Sequence, residues 1–524
     1  LVDSKILPLK FYYHNTEADV NFARFFAMNI PFLLRRNSQK FPDKPAIIFK
    51  DKPTPCEQFK DIVFRLANGL ASLGVKPQDR VGIYLPNWPE YIYSYLALFC
   101  LGATVVPLDY MLTEDEMVTC LMHCEAKYLI AKAKDISVIG NIKKKIPTLK
   151  KIVLVQENKE GFANFEELIN NSPSEFKDVY TPPDCLSMIL YTSGTTGRPK
   201  GIMLTYKQLD ACPTGIGYFV DIYTEDVIIC ALPFSHIAGL MAIQLGLYFI
   251  NTLVFLERFA PLEFLKNVEK HKVTYFYLVP SMYYAILYLK EFEKFNLSSI
   301  RWVDVFGAPS NPEVLRRFHK YCPQAYFLNG WGLTETNGPC VVMPMGSEKL
   351  ESVGKPAPWI DIKIVDEHDK EVPVGEIGEI IVRSWVVMQG YYKDEEETNR
   401  VMRNGWFYSG DLGRFDEQGF LYIVGRKKEM IKVSGEIVYA VEVESVISKH
   451  PLVKEVAVVG VPDDLRGEVV KAVVAPKAEA DLKEEDIRYF SKERLAHFKV
   501  PHIVEIRKEL PKNRVGKIDK SQLK

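Results

Sequence analysis

The chain has 524 residues, 47% hydrophobic and 25% charged, values that exclude a mainly disordered, collagenous or fibrous protein. Lysine and arginine total 66 against 67 aspartates and glutamates, a net charge of −1, so no global electrostatic pull draws the chain to nucleic acid. Nine cysteines, an odd number scattered from Cys56 to Cys340, point to a reducing, cytoplasmic setting without a disulfide framework.

The first residues, with Leu1, Asp3 and Lys5, lack the apolar run of a signal peptide, and the missing Met suggests a processed or truncated start. Spacing predicts a helix over Phe59–Leu73 ended by Gly74, a strand over Arg80–Leu85, a helix over Glu90–Leu101 and a strand over Thr104–Leu108. That is the rhythm of a parallel sheet with crossover helices, and it recurs over residues 120–155. There Cys120 and Cys124 share a helix face beside His123. No second cluster supplies further ligands, so core packing is expected.

From Val227 to Leu256 no charged residue occurs, long enough by hydropathy to weigh as a membrane span. Gln244, Asn251 and Thr252 interrupt it, and a buried helix feeding a buried strand is predicted instead. The strand-helix rhythm returns between Phe264 and Gly307, where Val303–Phe306 runs into Gly-Ala-Pro-Ser; ligands sit at such carboxyl ends of open α/β sheets. Short alternating strands over Ile362–Val424 suggest an antiparallel subdomain. A final unit has strands around Val456–Val459 and Val469–Ala475 and a helix over Glu484–Leu495. The expected architecture is mixed α/β. Residues 1–425 form a large domain of doubly wound sheets plus an antiparallel β subdomain, 426–428 a hinge, and 429–524 a small mobile α+β domain.

The strongest chemical signal follows the apolar run Leu186–Leu190. In Tyr191-Thr192-Ser193-Gly194-Thr195-Thr196-Gly197-Arg198-Pro199-Lys200-Gly201, clustered hydroxyls and glycines can cradle a polyphosphate, and Lys200 adds a charge for its outer phosphates. Gly-Lys-Ser/Thr is absent and no helix starts at the lysine, so this is not a Walker loop.

The string resembles the phosphate-loop signature of the adenylate-forming superfamily of acyl-CoA synthetases, aryl-CoA ligases, luciferases and peptide-synthetase adenylation domains. Five further stretches resemble that family's signatures, in order: Gly307-Ala308-Pro309, Asn329-Gly330-Trp331-Gly332-Leu333-Thr334-Glu335, Tyr408-Ser409-Gly410-Asp411, Gly425-Arg426-Lys427-Lys428 and Pro511-Lys512-Asn513-Arg514-Val515-Gly516-Lys517. The resemblance runs from about residue 30 to the end. It implies that Gly307, Ala308 and Pro309 turn beside adenine, that Trp331 packs on it, and that Asp411 and Arg426 reach the ribose. Thr334 would contact phosphate and Glu335 would ligate Mg²⁺ held by ATP, while Lys432 matches a further nucleotide-contacting lysine and Lys428 the hinge residue. Lys517 would bridge the acid and the α-phosphate during adenylation, where two anions are brought together. The small domain would then swing, bringing Ser434 and Gly435 to CoA, with Arg258 as a further CoA contact.

His236, Ala238 and Gly239 match the segment that lines the acyl site. Gly332 stands where acetyl-specific relatives carry a bulky tryptophan, so the glycines are expected to leave the pocket open for longer chains. Ala440 replaces a frequent proline and Lys520 a frequent arginine; neither bears a catalytic group. The implied function is Mg²⁺- and ATP-dependent activation of a medium- or long-chain fatty acid through acyl-AMP to acyl-CoA, with small molecules as partners, no nucleic acid and no transmembrane segment. An aryl-CoA ligase, a carrier-protein loader, a luciferase and, from another class, a non-catalytic nucleotide-binding module stay open at this point, as do a homodimer and a peripheral membrane contact.

Overall fold

In the computed structural model two large mixed sheets carry the N-terminal part of the chain; the structure describes residues 29–132, 136–192, 199–305, 312–463, 465–477, 480–513 and 516–524. One sheet has eight strands, with a parallel centre running from Leu186–Thr192 through Thr104–Pro107, Arg80–Tyr84 and Tyr128–Ala131 to Lys151–Leu154. Its antiparallel edge is Lys200–Thr205 followed by Gly390–Tyr391. The other has nine strands. Its parallel centre includes Tyr326–Leu333, Trp302–Val305, Tyr275–Leu278, Val227–Cys230 and Thr252–Phe255. These central strands are almost wholly buried, which is why they read as continuous apolar runs.

Crossover helices form where the sequence places them. Cys56–Ser72 ends at Gly74, whose φ of 97° only glycine adopts without cost. Pro89–Cys100 begins with proline, which lacks only an amide that the first turn would leave unpaired. Glu114–His123 is capped by Thr113: its backbone amide donates to Glu116 Oε2 at 2.8 Å while its side-chain oxygen accepts from the Glu116 amide. Cys120 and Cys124 are buried with Met117 and Leu121 in an apolar cluster under this helix. The charge-free stretch becomes a strand, Val227–Cys230, a largely buried helix, Ile237–Phe249, and a second strand, Thr252–Phe255. Among the described residues no helix is long and apolar enough to cross a membrane.

The antiparallel sheet expected over Ile362–Val424 is present, with Asp361–Val365, Gly378–Arg383, Trp406–Phe415 and Leu421–Arg426 in sequence-adjacent pairing. Beyond it, Met430–Val433, Glu436–Tyr439, Val453–Asp463, Gly467–Pro476 and Ile503–Ile506 form a separate sheet. Two buried apolar clusters there are made only of residues between Ile431 and Leu523, so this unit has its own core.

Candidate active site

The Tyr326–Leu333 strand lies parallel to Trp302–Val305, then pairs back with Gly338–Val342 through the tight turn Thr334–Thr336. Asn337 closes that turn at a φ of 56°. The turn therefore stands at the carboxyl edge of the sheet. Here Trp331 is buried, and its indole Nε1 donates to Asp411 Oδ2 at 2.8 Å. Asp411 comes from the antiparallel sheet, where it lies opposite Arg426, and Arg426 Nε sits 2.8 Å from Asp411 Oδ1. Burial raises the Asp411 carboxyl above its ordinary range, and Arg426 and the indole N–H work against that rise. Asn329 is also buried: its side chain donates to Ser352 O at 3.1 Å and accepts from the Gly330 amide, fixing the strand that carries Trp331.

Lys517 reaches this cluster from the separate C-terminal sheet unit. Its ammonium is shifted downward, first by burial and then by the Arg426 guanidinium, with Asp411 opposing. Gly516, one residue before it, lies close to the large domain: a Cβ there would be 3.1 Å from Ser281 Oγ. Lys428 is lowered by burial and by Arg426, and Lys200 belongs to the same field of charge. The structure thus brings Trp331, Asp411, Arg426, Lys428 and Lys517 together from regions far apart in sequence.

Lys200 opens the strand Lys200–Thr205 and lies opposite Thr192, so a strand and not a helix starts at this lysine. Its ammonium forms an ion pair with Glu397, on the short helix Glu395–Val401, and lies 5.2 Å from the Tyr391 ring centre. Arg400 grips the same carboxylate with bonds of 2.6 and 2.7 Å; Arg400 and then Lys200 hold Glu397 down at about 2. Tyr391 in turn donates to Glu335 Oε1 at 3.0 Å, and the Met388 amide donates to Glu335 O at 2.7 Å. Sequence reasoning missed Tyr391, Glu397 and Arg400. A faint signal existed in Gly390-Tyr391-Tyr392 followed by an acidic run, but nothing local says that the run folds onto Lys200.

Ser193, Gly194, Thr195, Thr196, Gly197, Gly307, Ala308 and Pro309 lie outside the described residues. Thr334 is half-buried at the start of its turn. Lys432, Ser434, Gly435 and Arg258 are exposed. Ser434 and Gly435 form the two-residue tip between Met430–Val433 and Glu436–Tyr439, with φ of 51° and 90°, so the turn itself requires a glycine there.

The expectation that glycines widen the acyl pocket is corrected by the backbone around them. A Cβ on Gly332 would lie 2.0 Å from Gly338 O, and one on Gly239 would lie 2.2 Å from Pro233 O. Both positions are glycine because two stretches of main chain meet there; the space is filled, not left open. His236 precedes the Ile237–Phe249 helix with Nε2 3.5 Å from Asp109 Oδ2, and Ala238 O accepts from Tyr277 Oη at 2.8 Å.

Two family models match the chain: AMP-binding enzyme over residues 34–392, and AMP-binding enzyme C-terminal domain over 442–517. A long-chain-fatty-acid–CoA ligase of Bacillus subtilis is 34% identical over 94% of this chain and 93% of its own length. A feruloyl-CoA synthase from Amycolatopsis is 33% identical over 88% of this chain and 91% of its own. Among solved structures, the anthranilate CoA ligase AuaEII in complex with anthranoyl-AMP superposes with a TM-score of 0.89 at 27% identity, covering 94% of this chain and 96% of that one.

Proposed function

The chain belongs to the AMP-binding enzyme family, and from that premise we propose that it is an AMP-forming acid–CoA ligase with a mobile C-terminal domain. The observation that carries this reading is the meeting of Trp331, Asp411 and Arg426 with a lysine delivered by a separately cored unit. An acid–base or covalent site would need a nucleophile with a neighbouring base. This cluster instead offers a hydrogen-bonded carboxylate for ribose hydroxyls and cations for phosphate, the equipment for holding a nucleotide while another molecule attacks it.

In the first half-reaction an oxygen of the substrate carboxylate bonds to the α-phosphorus of ATP and the bond to the β-phosphate bridging oxygen breaks, releasing pyrophosphate. Asp411 accepts from the ribose, Trp331 lies along the base, and Lys517 offsets the repulsion between carboxylate and phosphate. Lys200 must leave Glu397 to reach the outer phosphates. In the second half-reaction the CoA sulfur attacks the acyl carbonyl and AMP departs. For that step residues 429–524 pivot about 426–428, withdrawing Lys517 and bringing the Ser434-Gly435 tip to the large domain, with Arg258 as a CoA contact. Lys432 is the further nucleotide contact in this scheme.

Glu335 suits Mg²⁺ carried in by ATP, since a hard carboxylate oxygen at a turn, bonded to the Tyr391 whose ring lies near Lys200, matches the preference of that ion. When bound, Mg²⁺ neutralises charge on the phosphates. Glu335→Gln is expected to raise the Mg²⁺ concentration giving half-maximal pyrophosphate exchange by roughly tenfold. A Mg²⁺ titration at fixed ATP reads this, and an unchanged midpoint removes Glu335 from the metal site.

The acid we favour is a medium- or long-chain fatty acid. Its support is the Bacillus subtilis relative and the charge-free helix Ile237–Phe249 that follows His236, not the glycines. The test is carboxylate-dependent exchange of labelled pyrophosphate into ATP, with acids from acetate to palmitate and with cinnamates, followed by thioester formation when CoA is added. Exchange peaking at longer chains, with thioester, is the expected result. Exchange without thioester assigns the acyl group to a carrier, and no exchange with any acid overturns the ligase.

A further inference from the structure

The anion that holds Lys200 in this structure is part of the protein. Glu397 and Lys200 form an ion pair whose side chains are only 16% and 19% exposed, so water and salt screen it little. The short helix that carries Glu397, Glu395–Val401, is fixed against the strand before it. The Tyr391 amide donates to Thr398 Oγ1 at 2.9 Å, the Glu397 amide donates to Asp394 Oδ1 at 3.0 Å, and a Cβ on Gly390 would lie 2.8 Å from Thr398 Cγ2. Gly390 and Tyr391 in turn pair with Met203 and Ile202 of the strand that Lys200 opens. Main chain therefore sets Glu397 on the same sheet edge as Lys200. The member of the pair that can move away is the lysine, a charge on a flexible four-carbon stem.

Arg400 makes the pair separable. It reaches the same carboxylate through two bonds, Nε to Oε2 at 2.6 Å and Nη2 to Oε1 at 2.7 Å. A carboxylate gripped by such a fork stays in place when Lys200 departs, and it does not become an unpaired charge that would pull the lysine back. The Arg400 bonds are also the first cause of the carboxyl's fall to about 2, so Glu397 is an anion at any working pH. The held lysine waits close to its other assignment. Its Nζ lies 5.2 Å from the Tyr391 ring centre, and Tyr391 Oη donates to the Glu335 carboxylate that suits Mg²⁺.

We propose that Glu397 is a positioning residue acting through Lys200, a built-in anion that competes with the outer phosphates for this ammonium and so weakens the hold on ATP and on pyrophosphate alike. Pyrophosphate then leaves as Lys200 returns to Glu397, and Arg400 tunes the competition by keeping the carboxylate paired while the lysine is away. The inference rests on the reading of Lys200 as a contact for the outer phosphates, and it supplies that reading with a competitor. Apparent affinity falls by the fraction of molecules in which the competent arrangement is free, so an ion pair formed in about nine-tenths of them weakens binding about tenfold. AMP has no outer phosphates and stands outside the competition.

The experiment measures Kd of the full chain for MgATP, magnesium pyrophosphate and AMP by calorimetry, which needs no knowledge of the acid. Glu397→Gln is expected to tighten MgATP and pyrophosphate by a similar factor, about three- to tenfold, and to leave AMP within about twofold. Arg400→Met should weaken the first two ligands, because a carboxylate deprived of its fork holds Lys200 harder. The double variant decides between this competition and a general field of charge. Arg400 acts only through Glu397, so Glu397→Gln with Arg400→Met should bind like Glu397→Gln alone, whereas two cancelling charge changes would return it to wild type. Glu397→Asp keeps the charge but shortens its reach and should also tighten both ligands; Glu396→Gln, the same charge lost from an exposed neighbour, should not. Unchanged MgATP affinity in Glu397→Gln, a double variant at wild-type values, or AMP tightened as much as ATP overturns the proposal. Lys200→Ala separates the two readings. If it weakens MgATP while Glu397→Gln changes nothing, the competitor alone falls; if it leaves MgATP untouched, the phosphate role of Lys200 falls and the competitor with it.

Discussion

Replacing Lys517 with alanine is expected to slow carboxylate-dependent pyrophosphate exchange by roughly 10²–10³-fold, the scale of losing one preorganised charge contact at a transition state. Thioester formation from supplied acyl-adenylate should change by no more than about threefold, because the lysine has left when the sulfur attacks. The split separates a group that acts in one half-reaction from one that holds the fold. Equal losses in both halves would place Lys517 among the residues that merely seat the C-terminal unit. A pH profile gives a second handle. Burial and Arg426 lower the Lys517 ammonium, and the protonated form is the competent one. Adenylation should therefore fall on the alkaline side at a lower pH than an ordinary lysine, near 10.4, would set. Lys517→Arg keeps its charge at every accessible pH and should lose that alkaline limb even while its rate is reduced.

Much of this site was legible as strings. The chain order of the motifs ending at Lys200, Glu335, Asp411 and Lys517 carries the proposed chemistry through the family those strings resemble; outside that context a lone lysine such as Lys517 would say nothing. Strand and helix periods also placed the parallel sheets: the helix predicted over Glu90–Leu101 is found at Pro89–Cys100, and the strand over Thr104–Leu108 at Thr104–Pro107. What could not be read was long-range pairing. Glu397 lies 197 residues from Lys200, and Tyr391 lies 56 from Glu335, so no local pattern joins them. The glycine argument failed for a related reason. A glycine in a string looks like free space, yet whether its missing Cβ leaves room depends on what main chain folds against it. At Gly332 that is Gly338 O, fixed only when the Tyr326–Leu333 strand turns back on Gly338–Val342.

Tethering the C-terminal unit in its present position should separate the two half-reactions outright. The contact between Gly516 and Ser281 offers the tether, since a Cβ on Gly516 would lie 3.1 Å from Ser281 Oγ. In a disulfide each Cβ lies roughly 3 Å from the other residue's sulfur, as follows from an S–S bond of about 2.04 Å. Gly516→Cys with Ser281→Cys therefore matches the required geometry, although a φ of 79° at residue 516 costs a side chain about 1–2 kcal/mol. The native thiols are all free and nearly all buried, Cys185 being half-buried, so the new pair should oxidise ahead of them. Oxidised, the double variant is expected to exchange pyrophosphate within about threefold of its reduced form but to form thioester at least about 100-fold more slowly. Reductant should restore the second step. The reasoning is geometric: Lys517 is one residue from the tether, so the bond that keeps the lysine beside Asp411 also keeps the Ser434-Gly435 tip out at the surface. Undiminished thioester formation in the fully oxidised protein would mean that CoA is used without the pivot, and the hinge at 426–428 would lose its part in the mechanism.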